Sequence, residues 1–267
     1  MGVVGLDRFR AHFADYADQY VLIGGAAAFL ALEEAGFSPR ATKDLDLVLC
    51  AEALRSEFVT AFWDFVEEGG YQHRLRSTEQ PVFYRFEKPQ ASGFPAMLEL
   101  FSRRPEGLEP RAGGRLTPIP AGQEVASLSA ILLDPDYYGF LHEHTREHQG
   151  VSVATELGLI PLKARAWLDL TRRRREGEDI SSQDIKKHRG DVLRLYQLLL
   201  PGERVTLPSA VGEDLAAFLR LMDTEADENL LRNLGMQGIT VPEITGALRS
   251  VFQLDDEADE AGPGISR

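Results

Sequence analysis

The stretch "TKDLDLVL", residues 42–49, decides how the rest of the chain is read. Alternation of apolar and polar residues marks it as a strand. In a strand, residues i and i+2 point to the same side. Asp44 and Asp46 therefore stand side by side on one face, among Leu45, Leu47, Val48 and Leu49. Two like charges so placed repel, which costs free energy unless a cation or a polar partner meets them. The question is what that partner is.

Composition narrows the answer. The chain has 267 residues, enough for one large domain or two modest ones, and a hydrophobic share of 43% supplies an ordinary core. A formal net charge of -13 argues against a general nucleic-acid coat protein. It leaves room for a local cationic groove, or for a metal-lined pocket that takes a small anion. The run of arginines Arg172–Arg175 and the cluster "KKHR" at 186–189 read as a solvated helix face or as a docking surface for phosphates. No run approaches the roughly 20 apolar residues of a membrane span. The opening "MGVVGLDRFRAHF" lacks the charged-then-apolar design of a secretory leader. One cysteine, Cys50, forms no internal disulfide, so a reducing, cytoplasmic setting is expected.

Outward from residues 42–49, the first half alternates helix and strand. "LDRFRAHFADYA" has helical spacing, "YVLIGG" is a short buried strand closed by two glycines, and "AAAFLALEEAG" is a helix stopped at Gly36. After the acidic strand comes a helix over "AEALRSEFVTAFWDFVEEGG", then strands over "YQHRLR", "PVFYRFEK" and "AMLELFS". From "SLSAILLDPDYYGFL" onward the periods become helical, through "LIPLKARAWLDLTRRRR", "SSQDIKKHRGDVLRLYQLLL", "PSAVGEDLAAFLRLMD" and "VPEITGALRSVFQL". The expected fold is α+β: a mixed sheet with flanking helices over residues 1–125, a mainly helical part over 126–252 and an acidic disordered tail over 253–267.

Three pieces of the first half carry chemistry together. "VLIGGAAAFLAL" is strand, Gly24-Gly25, helix. It exposes backbone N–H groups at a helix start, where a phosphate can approach and the helix dipole favours it; a plain tight turn is the alternative. Asp44 and Asp46 make a hard-oxygen pair suited to Mg²⁺; the alternative is a turn cap and an ion pair. Glu99 interrupts the apolar strand "AMLELFS" and needs a partner or a task. If its strand lies beside that of Asp44 and Asp46, three acids converge, which suits phosphoryl or nucleotidyl transfer with one or two Mg²⁺ ions.

That ordered set resembles the nucleotidyltransferase superfamily with its polymerase-beta-like fold, and within it the AbiEii/AbiGii toxin-type group of abortive-infection and type IV toxin–antitoxin systems. The residues that carry the likeness are "IGGAAAFLAL" with "RATKDLDLVL", "MLELFS", and in the second half "LIPLKARAWLDL" with "DISSQDIKKHRGDVLRL", from about residue 20 to about residue 200. The resemblance implies an Mg²⁺-dependent enzyme that moves an NMP from an NTP to an acceptor hydroxyl, on a tRNA end or a protein side chain, in a toxin or phage-defence setting with a possible cognate antitoxin. By the same resemblance Gly24 and Gly25 hold the nucleotide phosphates, and Asp44 and Asp46 bind the metal. Glu99 is the third acid, as metal ligand or general base. Lys163 contacts the triphosphate, with Arg40, Thr42 and Lys43 as further nucleotide candidates. Asp184, or else Asp179, is the acid of the second half. Two departures stand out: Gly25 occupies a place where many relatives carry serine, and Glu99 one where many carry aspartate. The alternatives are an inactive binding or regulatory module of the same fold, and an aminoglycoside-type small-molecule transferase.

Other residues are set aside. His142, His144 and His148 lie in "LHEHTREHQG" and read as solvated histidines of a charged loop or helix end. Trp63 and Trp167 fall on apolar helical positions and are expected in the core. Ser127 and Ser129 have no evident base.

Overall fold

A computed structural model of the chain describes residues 2–50, 55–72, 83–101, 131–132, 134–225 and 229–254. It is an α+β fold, a mixed six-stranded sheet with flanking helices. Helix α1 (Leu6–His12) and a 3-10 turn (Ala14–Gln19) lead into β1 (Tyr20–Ile23), α2 (Gly24–Glu34), β2 (Asp44–Leu49) and α3 (Ser56–Gly69). Strands β3 (Phe83–Glu87) and β4 (Met97–Phe101) follow. Then come α4 (Pro135–Glu143), β5 (Thr145–His148), β6 (Val151–Ala154), α5 (Glu156–Arg175), α6 (Ser182–Leu195), α7 (Ser209–Glu225), α8 (Leu230–Asn233) and α9 (Val241–Val251).

The strand order is β3-β4-β2-β1-β6-β5. β2 runs antiparallel to β1 and parallel to β4, and β1 runs parallel to β6. Alternation along β2 works as read from the sequence: Leu45, Leu47 and Leu49 are buried, while Asp44 and Asp46 lie half-buried on the opposite face with Val48. The leucine face packs on α1 and α3. Phe58, Phe62, Phe65 and Val66 line one side of α3 at helical spacing; Phe65 meets Phe9 edge-on, Phe58 and Phe65 meet Phe13 tilted, and Phe58 stacks on Tyr20. Gly70, at φ 58°, ends that helix with a left-handed cap. The face that carries Val48 and Phe101 packs instead on the helices of the second half, where Trp167 meets Phe218 edge-on at 5.3 Å.

Three of the second-half helices start where side chains cap them. Asp134 accepts from the Asp136 N–H ahead of α4, Ser181 from the Gln183 N–H ahead of α6, and Thr240 and Glu243 form a reciprocal capping box on α9. Among the described residues no helix is long and apolar enough to cross a membrane.

Two segments differ from the sequence reading. The His-rich stretch is a helix end followed by a β-hairpin, and its two strands complete the sheet. Six strands are thus drawn from residues 20 to 154, and the boundary expected at 125/126 precedes the last two. The three histidines are packed rather than solvated. His142 packs at a tilt on Tyr138 and His144 on Phe140, each at 4.3 Å between ring centres, and His148 lies 3.4 Å from Glu34. Trp167 sits buried in the core as expected; Trp63 is partly buried and packs against the core's edge on Phe62 and Phe86. Of "YQHRLR", Gln72 bridges Glu87, and 73–76 lie outside the described residues, as do Ser127 and Ser129. Of the expected tail, Gln253 and Leu254 are described: the Leu254 N–H donates to the Arg249 carbonyl, closing α9.

Candidate active site

The site is built at the carboxyl end of β1. Gly24 opens α2 with φ 65°, a backbone conformation that side chains disfavour, and no side chain caps the helix start among the described residues. The Asp46 carboxylate lies directly against Gly24: a Cβ there would come within 1.8 Å of its Oδ2. Gly25 has more room, its notional Cβ 3.3 Å from the Thr42 hydroxyl. Thr42 also lies 3.5 Å from the Asp44 N–H, at the mouth of β2. The first two sequence pieces, glycines and acid pair, are therefore one structure. Gly24→Ala combines left-handed strain with the clash on Asp46. It is expected to cost more than about 2 kcal/mol and to lower Tm by more than about 4 °C in a thermal melt, with Gly25→Ala much milder.

The third piece arrives through register. β2 and β4 are parallel with Asp46 opposite Glu99, and β3 is antiparallel to β4 with Arg85 opposite Glu99. Asp44, Asp46 and Glu99 therefore share a face. Glu99 is 3% exposed and hydrogen-bonds Asp46. Its Oε1 accepts from Arg85 Nε at 2.7 Å, with Arg85 Nη2 at 2.5 Å. Among the described residues, no three His, Cys, Asp or Glu side chains are grouped as a metal cage requires. The half-buried pair Asp44 and Asp46 instead matches the sparse sites in which Mg²⁺ takes one or two carboxylates and substrate phosphates. Glu99 stands behind that pair, bound to Arg85.

The electrostatics follow from this crowding. Burial pushes the Glu99 carboxyl up to about 8, reinforced by the Asp46 charge and opposed by Arg85. Burial and Asp46 likewise raise Asp44, against the pull of Lys43, Lys187 and Arg85. A carboxyl whose folded value lies above its unfolded value of 4.5 adds a growing penalty as pH rises from about 4.5 to about 8. The unfolded chain loses that proton first, so folding must take it back up. The metal-free protein is thus expected to lose stability over that window in denaturant titrations, and Glu99→Gln, which keeps an oxygen for Arg85, is expected to flatten the slope.

The second half meets this face through α6. Lys163, on α5, is 3% exposed, and its Nζ donates to Asp191 Oδ2 on α6 at 2.7 Å. Burial alone would raise the Asp191 carboxyl, but Lys163, with His188 and Lys187, outweighs it and holds Asp191 below the usual carboxylate range. The Lys187 charge lowers both Asp191 and Asp44, so it lies within electrostatic reach of the ion pair and of the acid face.

Of the residues singled out from sequence, the structure brings Gly24, Gly25, Thr42, Asp44, Asp46 and Glu99 together. Lys43 is exposed but close enough to act on Asp44, and Arg40 is exposed on the loop before Ala41. The acid that Lys163 meets is Asp191; Asp184 lies in the first turn of α6, and Asp179 is exposed ahead of that helix. Sequence reasoning missed Arg85, Lys187 and Asp191. A cation in mid-strand, "FYRFE", beside an acid in mid-strand, "MLELF", was the available sign of the first.

A crystal structure of an antigenic nucleotidyltransferase-like protein from Paracoccidioides brasiliensis is similar to this chain over 94% of its length and 96% of the other's, at 15% identity and a TM-score of 0.44. No family model matches the chain, and no curated protein matches it.

Proposed function

We propose that the protein is an Mg²⁺-dependent nucleotidyltransferase that transfers an NMP from an NTP to an acceptor hydroxyl. The observation that carries this reading is the contact of the Asp46 carboxylate with Gly24, which sets an acid pair at the uncapped start of α2. Helix-start N–H groups offer donors to phosphate oxygens. Asp44 and Asp46 would hold the metal, which neutralises phosphate charge and favours in-line displacement. The acceptor oxygen bonds to the α-phosphorus, the bond to the β-phosphate oxygen breaks, pyrophosphate leaves, and the hydroxyl proton passes to the acid pair. Glu99 and Arg85 are positioning residues that fix Asp46 from behind. Lys163 positions α6 through Asp191 and so sets Lys187 toward the acid face.

The resemblance to the AbiEii/AbiGii toxin-type group adds a toxin or phage-defence role, with an RNA end or a protein side chain as acceptor and an antitoxin as partner. The Arg85–Glu99 contact favours a second reading, in which the acid face is held together by its own hydrogen bonds in a non-catalytic binding module. One experiment separates the two. The protein is incubated with each α-labelled NTP, Mg²⁺, and cell RNA or protein extract. Label transfer that Asp46→Asn abolishes supports the enzyme; wild-type protein that binds no NTP with Mg²⁺ overturns it.

A further inference from the structure

The two basic clusters of the sequence, far apart in their helices' numbering, are brought to one place. Helices α5 and α6 enclose a groove of about 430 Å³ lined by Arg174, Arg175, Lys186 and Arg189. Thr171 and Ser182 add hydroxyls, Trp167 and Ile185 add an apolar edge, and among the described residues no acid lines it. The arginine run divides by function. Arg172 is bound by Asp169 and Glu176, and Arg173 by Glu178 and Asp169; Arg174 and Arg175 line the groove. Arg174, Lys186 and Arg189 bring three positive charges to one small volume, in a chain of net charge -13, and these repel each other unless an anion joins them. Two buried polar atoms at the groove, Thr171 Oγ1 and Arg189 Nε, have no hydrogen-bond partner among the described residues, although such atoms are normally satisfied.

The groove is separate from the acid face. Ser182, Ile185, Lys186 and Arg189 form one stripe of α6, while Asp184, Lys187, His188 and Asp191 form another. At 3.6 residues per turn the two stripes lie on roughly opposite sides of the helix. Trp167 is 3% exposed, so it offers no face on which a base could stack. The lining reads charge and not base identity.

We propose that the α5–α6 groove is a second anion site that binds at least two phosphate groups of one ligand, without base preference. Guanidinium forks from Arg174 and Arg189 and the Lys186 ammonium supply the charge, and the Thr171 and Ser182 hydroxyls supply further donors. The proposal stands independently of the transferase reading. The phosphates can come from an RNA backbone or from a free polyphosphate, and the experiment has an arm for each.

Binding of labelled oligouridine and of inorganic tripolyphosphate is measured in EDTA, where the acid pair has no metal with which to hold phosphate. Arg174 and Lys186 are exposed, so Arg174→Gln with Lys186→Gln leaves folding intact, which a melt confirms. The double variant is expected to bind at least about tenfold more weakly, and for RNA its log–log salt slope is expected to fall by roughly 1.4. Competition of tripolyphosphate with RNA at similar concentrations assigns a free polyphosphate; RNA binding alone assigns the backbone. Wild-type protein that binds neither probe, or a double variant that binds as tightly as wild type, overturns the proposal. Gly24→Ala and Asp46→Asn, which disturb the acid face, are expected to leave this binding unchanged.

Discussion

Asp46→Asn is expected to abolish label transfer from NTP, by at least about 10³-fold or about 4 kcal/mol of transition-state stabilisation, while the folded protein becomes no less stable without metal. The two halves of that result have one cause. Asp46 is the shared neighbour: it abuts Gly24, sits opposite Glu99 in register and raises both Asp44 and Glu99 by its charge. Removing the charge relieves repulsion in the empty site, and it also removes the anion around which a cation and triphosphate would assemble. Activity by single-turnover label transfer and stability by denaturant titration must therefore move independently. A parallel loss of both would mean that Asp46 serves the fold and not the chemistry.

The second large effect is expected at the Lys163–Asp191 pair. Side-chain exposures of 4% and 15% put both charges out of bulk water. Lys163→Met leaves a buried carboxylate without its main partner and is expected to destabilise the protein by about 3–5 kcal/mol in denaturant titration. Combining it with Asp191→Leu removes the orphan charge, and most of the loss is expected to return, so that the double variant is far more stable than the sum of the two single changes implies. Simple additivity in that cycle would show that the pair is not coupled and that Lys163 serves the site directly.

How much of this was legible in the sequence depends on the range of the signal. The acid pair on β2 and its glycine partner could be read because both signals are local: a two-residue period and a Gly-Gly step between strand and helix. Glu99 could be read as an anomaly, but its partner Arg85 could not, because that contact depends on which strand lies beside β4. That Lys163 meets Asp191, and not the expected Asp184 or Asp179, likewise turns on helix direction. Lys163 lies near the start of α5, so an antiparallel α6 must answer it from near its own end, and spacing along the chain does not encode that. The β5–β6 hairpin was missed because each strand has four residues and sits among charges. Its two-residue turn, Gln149-Gly150 at φ 51° and 82°, has the backbone of a tight hairpin without the usual Asn-Gly.

That hairpin has a consequence for how the chain can be handled. β6 lies along β1 in parallel, so the last strand of the sheet is laid down some 130 residues after the first and is followed at once by α5. A truncated form ending at residue 125 would leave β1 with one flank of unpaired N–H and C=O groups, and such bare edges recruit other chains. The two halves that composition distinguishes are stitched by main-chain hydrogen bonds, and severing them makes an aggregating half-sheet in place of a minimal catalytic unit.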